Sequence, residues 1–335
     1  MPVRANMLTL RQAGLTLVEL LVAMVLMLLV AIATVAMYNV SSSSYRTVDA
    51  NQELQDSARF AMEIIGQAAR SAGYQDRTGP TTSSEQLADE VFGPTHRDTW
   101  RIEGRNGAVL SGGTSSMSYS NSGVVNSSDA LVIRFFGANM PDPANPALAK
   151  FVGGKPVPDG SMIDCSGRAA PYPVGSADVG VSAFFVKVLN GEPELYCKSW
   201  NSNAPTPAFS ETQVVRGVET LQIVYGVDTS VPPDEIADRW LSADAISDDD
   251  TVNPNWNNVV AMRVGMVLRG PVGSSQGQSA TPTDNALYPL GKAFTCESTA
   301  TSCTPSEAAH KFTPPNDNRL RRAFATTFLF RSAIR

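Results

Sequence analysis

The sequence Arg11-Gln-Ala-Gly-Leu-Thr-Leu-Val-Glu-Leu-Leu-Val-Ala-Met24 leads into a run that holds no charged side chain from Leu20 to Met37. An α-helix of 18 residues is about 27 Å long, close to the thickness of the hydrocarbon core of a bilayer. Arg4 and Arg11 precede this run, and no acidic residue precedes Glu19. Because basic residues stay on the cytoplasmic side, the pattern predicts a membrane-spanning helix with the rest of the chain outside the cytoplasm.

The helical pattern continues beyond the apolar run. No proline occurs between residues 3 and 79, and Gly66 is the only glycine between residues 15 and 72. Steps of three and four residues define one apolar face, which consists of Leu54, Ala58, Ala61, Ile65, Ala68 and Ala72. The pattern predicts a helix that ends at Gly73 and lays its second half on a globular head. Ser41–Ser44 is its expected weak point, because serine hydroxyls compete for backbone hydrogen bonds.

The remaining chain alternates strand patterns with long polar loops. Residues 74–128 are rich in Gly, Ser, Thr and Asp and are interpreted as loops. Asn190-Gly191 separates two strand patterns and predicts a two-residue hairpin turn. The predicted strand regions are Asp129–Phe136, Val181–Leu189, Glu194–Trp200, Val214–Asp228, Trp256–Arg269 and Arg322–Arg331.

These patterns predict an α+β fold, in which a long N-terminal helix packs on an antiparallel β-sheet head with long loop insertions. We divide the chain into a leader (residues 1–14), an N-terminal helix (15–73, with 20–38 transmembrane) and a β-rich head (74–335). The long insertions fall at 75–128 and 270–318.

Four cysteines lie beyond the apolar run, an even number that suits an oxidising compartment. We expect a disulfide between Cys165 and Cys197, which would stabilise the fold by roughly 3.5 kcal/mol in the chain-entropy model. Cys296 and Cys303 form the second expected pair. Zinc is the alternative for both pairs, but their spacings match no zinc pattern.

Composition argues against several classes of function. The formal net charge is −6 and only 17% of residues are charged, so we expect no nucleic-acid partner. Arg319, Arg321 and Arg322 are expected to be the solvated beginning of a strand. With only two histidines and no paired-histidine pattern, we expect no catalytic residues, no metal and no cofactor.

The quoted N-terminal stretch resembles the type III signal of type IV pilins and of type II secretion pseudopilins. The resemblance implies that prepilin peptidase cuts between Gly14 and Leu15 and that the new amine of Leu15 is methylated. It also implies that the carboxylate of Glu19 neutralises the amine of a neighbouring subunit during assembly. Two alternatives remain open: a secretory signal peptide cleaved after Ala31-Ile-Ala33, and an uncleaved anchor.

Three further segments resemble PilW-type minor pilins. They are Ala58–Glu63 with Arg70–Tyr74, Val215–Gly226 with Trp256 and Val264–Arg269, and Arg321–Thr327. The resemblance implies a structural, non-enzymatic subunit that waits in the inner membrane with its head in the periplasm and later joins the pilus on the cell surface. It implies priming of assembly at the filament tip. The implied partners are prepilin peptidase, other minor pilins, the major pilin, the inner-membrane assembly platform and a large tip adhesin.

Two other functions remain open at this point. A J-type pseudopilin of type II secretion shares the head plan and the signal. A signal-anchored periplasmic enzyme or ligand-binding protein is the alternative of a different class, although such a protein would not need Gly14 or Glu19.

Overall fold

The computed structural model describes residues 16–75, 100–112, 117–146, 148, 150–172, 178–201, 208–249, 251–275, 286–294 and 310–330. The chain divides into two compact units, with the boundary between Asp49 and Ala50. Helix α1 (Leu17–Ser71) contributes to both units. Within the described residues, α1 is the one helix that is long and apolar enough to cross a membrane by length and composition.

In the first unit, the apolar side chains of α1 are exposed along the whole run from Leu17 to Val48. The helix continues through Ser41–Ser44, which the sequence marked as a weak point. Its hydroxyls bond to carbonyls of the preceding turn: Ser42 donates to Asn39 at 3.1 Å and Ser43 donates to Val40 at 2.9 Å. Serine hydroxyls that bond in this way accompany the helical backbone without replacing its hydrogen bonds.

In the second unit, α1 presents its predicted apolar face to the core. The buried positions at this face are Leu54, Ala58, Ala61, Ile65, Ala68 and Ala72. The helix ends before Gly73, which adopts a positive φ of 67° and donates its N–H to the carbonyl of Arg134 at 2.9 Å. A glycine in the left-handed region is the usual helix stop, because it has no Cβ to clash there.

The described residues contain 13 strands in four antiparallel sheets. The strands are β1 (Ile102–Arg105), β2 (Val109–Ser111), β3 (Ser118–Ser120), β4 (Ala130–Phe135), β5 (Phe151–Val152), β6 (Lys155–Pro156), β7 (Gly180–Leu189), β8 (Glu192–Asn201), β9 (Ala208–Arg216), β10 (Val218–Val227), β11 (Arg239–Leu241), β12 (Val259–Arg269) and β13 (Arg321–Leu329). The five-stranded sheet has the order β1-β4-β7-β8-β9 and the four-stranded sheet has the order β11-β10-β12-β13. The pairs β2-β3 and β5-β6 form separate hairpins.

The two larger sheets share one core with the buried face of α1. Phe184 and Leu195 enter this core from the five-stranded sheet, and Ile223 and Met262 enter it from the four-stranded sheet. A smaller core forms where β2 and β3 cover the opposite face of the five-stranded sheet. The turn at Asn190-Gly191 has positive φ at both residues, as the predicted two-residue hairpin turn requires.

The predicted fold class is confirmed: a long N-terminal helix and an antiparallel head that packs on its second half. The head differs from the expectation in having two main sheets. The single strand region predicted over Val214–Asp228 breaks at Gly217, so that β9 and β10 belong to different sheets. Gly217 has a φ of 76°, and a Cβ there would lie 2.6 Å from the carbonyl oxygen of Arg269. Only glycine fits at this point, where the chain passes from one sheet to the other.

The loop interpretation of residues 74–128 was wrong in part, because β1, β2 and β3 lie in this region. These strands contain three or four residues each. Strands this short carry too few alternations for a periodic signal. They form because β4 supplies the partner for β1 and because β2 and β3 pair with each other.

Candidate assembly site

Of the residues predicted to act in assembly, the structure describes Glu19. Gly14 and Leu15 lie outside the described residues, which begin at Thr16. Glu19 occupies the first turn of α1. One oxygen of its carboxylate accepts hydrogen bonds from the backbone N–H and the hydroxyl of Thr16, each at 3.0 Å. The hydroxyl of Thr16 in turn accepts the N–H of Glu19 at 3.3 Å.

This reciprocal arrangement is a capping box, with Thr16 as the N-cap and Glu19 as the third helical residue. The sequence reasoning assigned Glu19 to assembly and did not assign a role to Thr16. The pattern Thr-x-x-Glu before an apolar run could have revealed it. Glu19 therefore has a structural role in its own chain: its carboxylate satisfies an N–H donor that the helix leaves without a partner.

The apolar side chains of α1 in the first unit form an exposed surface. Leu20 is 48% exposed and Met37 is 79% exposed, and the residues between them are similarly open. The single hydroxyl in the uncharged stretch belongs to Thr34, which donates to the carbonyl of Val30 at 2.7 Å. With this hydroxyl satisfied, the stretch presents no unmet polar group. A continuous apolar surface of this size needs a bilayer or other apolar helices around it.

The disulfide expected between Cys165 and Cys197 is present, with the two Cα atoms 6.0 Å apart. Cys197 lies in β8 and is fully buried, and Cys165 lies in the loop between β6 and β7. The N–H of Cys165 also donates to the hydroxyl of Ser182 in β7 at 3.0 Å. The bond therefore fastens this loop to the centre of the five-stranded sheet. Cys296 and Cys303 lie outside the described residues.

The expectation of a solvated arginine cluster was wrong for Arg321. Its side chain is 4% exposed and donates to Glu219, which is 3% exposed, and to Asp317. The Arg321 Nη2–Glu219 Oε1 distance is 2.9 Å. Burial acts to lower the pKa of Arg321, but the hydrogen bonds that Arg321 donates to Asp317 and Glu219 outweigh it and raise the pKa. Because Glu219 also pairs with Arg269, the cluster ties β13 to β10 and β12.

A cavity of about 540 Å³ lies beside β1, β3 and β4. It is lined by Glu103, Arg105, Leu110, Met117, Ser118, Tyr119, Arg134, Asp248 and Asp249. Arg134 pairs with Glu103 at 3.2 Å and Arg105 pairs with Asp248 at 2.6 Å. Burial, followed by the charge of Glu103, raises the pKa of Tyr119 well above its ordinary value.

Charged side chains that line this cavity form ion pairs with one another, as Arg134 does with Glu103 and Arg105 with Asp248. The described lining residues include no histidine or cysteine, and Ser118 shares its hydroxyl with Ser111 at 3.1 Å. In the described part of the chain, no group of three or more His, Cys, Asp or Glu side chains could hold a metal ion.

Comparison with known proteins gives two family matches. The model described as Type IV Pilus-assembly protein W matches residues 183–332, and the prokaryotic N-terminal methylation motif matches residues 9–35. No curated protein matches the chain. Among solved structures, a type IV-like pilin from Thermus thermophilus is similar, with 16% identity and a TM-score of 0.35 over 83% of this chain and 95% of that one. The family matches confirm the predicted resemblance to PilW-type pilins and support a minor pilin of type IV pilus assembly.

Proposed function

We propose that this PilW-type chain is a structural minor pilin that prepilin peptidase processes and that primes type IV pilus assembly at the filament tip. Before assembly it spans the inner membrane once, with its head in the periplasm. After assembly it is part of the pilus on the cell surface. Its partners are other minor pilins, the major pilin, the assembly platform and a large tip adhesin.

One observation carries this proposal. The methylation motif matches residues 9–35, which include Gly14, Leu15 and Glu19, and it continues into a helix whose apolar side chains are exposed. A secreted enzyme with a cleaved signal would lose this helix, and a plain anchor could use Glu19 as a helix cap but would have no use for the cleavage signal at Gly14 and Leu15. A filament subunit uses both features, because the helix packs against other helices and the carboxylate of Glu19 pairs with the new N-terminal amine of a neighbouring subunit.

The chemistry of the first turn follows from the capping box. Hydrolysis of the Gly14–Leu15 bond adds water across the peptide, leaving a carboxylate on Gly14 and an amine on Leu15. Glu19 caps its own helix through Thr16 while the subunit stands alone. In a bundle of helices the dielectric constant is low, so an uncompensated carboxylate is unfavourable. The methylated amine of a neighbouring subunit compensates the charge of Glu19 and sets the axial position of the incoming helix.

The test of processing is the N-terminus and intact mass of the protein from native membranes. We expect methylated Leu15 as the first residue. A start near Ala33 would make the chain a secreted soluble protein, and an intact Met1 would make it a plain anchor; either result contradicts the proposal. Recovery of the mature chain in sheared pili, rather than in a secretion apparatus, separates a minor pilin from a pseudopilin.

The role of Glu19 is tested by two substitutions that separate its charge from its cap. Glu19→Gln keeps an oxygen that can accept the N–H of Thr16, whereas Glu19→Ala removes both the charge and the cap. We expect both variants to be cleaved and both to be depleted from pili, as measured by immunoblot of sheared filaments. Glu19→Gln in pili at the wild-type level would show that the charge is not required.

A further inference from the structure

Among the residues that the structure describes, none forms a backbone hydrogen bond with the outer edge of β13 in the four-stranded sheet. Phe330 donates its N–H to the carbonyl of Val260 at 2.9 Å, and the register continues with Phe328 opposite Met262 and Phe324 opposite Met266. In an antiparallel pair, alternate residues direct both backbone groups to the partner strand. The even-numbered residues of β13 therefore bond to β12. The odd-numbered residues direct their N–H and C=O groups away from the sheet; they are Ala323, Ala325, Thr327 and Leu329.

The opposite edge of the same sheet is covered. Beyond the stretch that pairs with β11, the outer edge of β10 meets the turn at residues 126–129. The N–H of Asp129 donates to the carbonyl of Leu221 at 2.8 Å, and the carboxylate of Asp129 accepts the N–H of Ile223 at 2.8 Å. The edge at β13 has no such cover among the described residues. Residues 323–329 also contain no charged residue, proline or glycine, and such residues usually protect an edge strand from pairing with another chain.

A groove runs between this edge and the second half of α1. It has a volume of about 350 Å³ and is lined by Gln55, Ala58, Arg59, Met62, Glu63, Phe324, Ala325, Thr326 and Phe328. The floor is apolar, because Phe324, Phe328 and Met62 pack against the main core. The groove therefore offers backbone hydrogen bonds on one side and apolar contacts below, which is the combination that an added strand needs.

The charged side chains beside the groove indicate in which direction a bound segment runs. Arg322, at the beginning of β13, bonds only to the neutral side chain of Asn51 at 3.3 Å, and Arg59 lies on the helix rim. Neither arginine forms an ion pair with another described residue, whereas Glu63 on the same rim already pairs with Arg70 at 3.0 Å. Arg322 therefore places a positive charge without a counter-charge among the described residues at the end where β13 begins. An antiparallel strand would place its carboxyl-terminal end there.

We propose that the edge of β13 and the adjoining groove bind an extended segment of another pilus subunit, which adds antiparallel to β13 and carries an acidic side chain at its carboxyl-terminal end, beside Arg322. This inference rests on the proposed function, because it takes the partner from the same filament. A second copy of β13 fits less well. Residues 321–330 contain no acidic side chain, so self-pairing would leave Arg322 without a counter-charge.

The test is a cross-linking scan of the full chain in cells that make pili. The photoreactive residue p-benzoylphenylalanine is placed in turn at Ala323, Ala325 and Thr327, and the cross-linked partner residues are identified by mass spectrometry. We expect one segment of another pilus subunit. Its cross-linked residue should move back by two positions each time the probe moves forward by two, because antiparallel neighbours run in opposite directions.

Two variants at one position separate backbone pairing from side-chain contact, with the probe kept at Thr327. Ala325→Pro removes one outward N–H and leaves the ladder to β12 intact, because residue 325 does not donate to β12. Ala325→Val keeps that N–H and serves as the matched control. We expect the cross-link yield to fall about tenfold for the proline variant and to stay within about twofold for the valine variant. Arg322→Glu should lower the yield, and a lysine at the acidic end of the identified segment should restore it.

The outcomes are distinguishable. A stepwise antiparallel register that Ala325→Pro abolishes supports the inference. Cross-links confined to this chain, to a second copy or to lipid overturn it, as does the absence of cross-links or equal yields from the proline and valine variants. If the wild-type chain is also missing from sheared pili, then the proposed function fails. If it is present in pili without the register, then only this inference fails.

Discussion

Replacement of Asp129 by asparagine tests how the two large sheets are joined. Asp129 is buried between β4 and β10, where one carboxylate oxygen accepts the N–H of Gly107 at 3.0 Å and the other accepts the N–H of Ile223 at 2.8 Å. Burial raises the pKa of Asp129 to about 7, because removal of water disfavours the charged form more than these two hydrogen bonds favour it. The asparagine side chain would have nearly the same shape as the aspartate and no charge at any pH.

The direction of the pH effect follows from the raised pKa. The carboxyl has an ordinary pKa of 3.8 and a folded-state pKa of about 7. The folded state therefore holds a proton that the unfolded state releases, so the stabilisation present below pH 3.8 is lost as the pH rises towards 7. At about 1.4 kcal/mol per unit, the loss between about pH 5 and about pH 8 is on the order of 3 kcal/mol.

Asp129→Asn should not show this loss. Its amide NH₂ would face one of the two N–H donors, which should lower the free energy of unfolding by about 1–3 kcal/mol at every pH. The wild type should therefore be the more stable protein at about pH 5, and the difference should vanish or reverse at about pH 8. The measurement is chemical unfolding of the full chain in detergent, followed by tryptophan fluorescence across this range.

The matched control is Asp56→Asn, which removes one negative charge at an exposed position of α1. Subtraction of the control removes the contribution of net charge and of other titrating groups. If the difference between the wild type and Asp129→Asn stays constant within about 0.5 kcal/mol from about pH 5 to about pH 8, then Asp129 does not hold a proton in this range and the reasoning is wrong.

Two further predictions concern packing and the covalent link. A methyl group at Gly66 would lie 2.6 Å from a ring carbon of Phe328. Gly66→Ala should therefore lower the free energy of unfolding by about 1 kcal/mol, despite the better helix propensity of alanine. A second substitution in the same chain, Phe328→Leu, should restore the lost stability. A higher melting temperature for Gly66→Ala alone would contradict this. The double substitution Cys165→Ser with Cys197→Ala should lower the free energy of unfolding by about 3.5 kcal/mol in oxidising buffer. Under reducing conditions the variant and the wild type should be equally stable. If the two proteins are equally stable in oxidising buffer as well, then the disulfide does not stabilise the fold.

Local patterns in the sequence were sufficient for α1 and for several of the longer strands of this fold. The apolar face of α1 from Leu54 to Ala72 is buried because residues three and four apart share one side of a helix, whatever lies opposite. Asn190-Gly191 determined a tight turn because both residues tolerate positive φ. The signal around Gly14 could also be recognised from the sequence, because it consists of residues that are close neighbours in the chain.

The tertiary structure alone decided how those elements combine. Gly217 separates two strands that the local pattern predicts as one, because the carbonyl of Arg269 in another strand leaves no room for a side chain. Arg321 is buried because Glu219, 102 residues earlier, compensates its charge. The carboxylate of Asp129 covers an edge that is formed 94 residues later. Each of these depends on a partner distant in the chain, and therefore no local periodicity could reveal it. Nor could a local pattern show that no described residue pairs with the outer edge of β13.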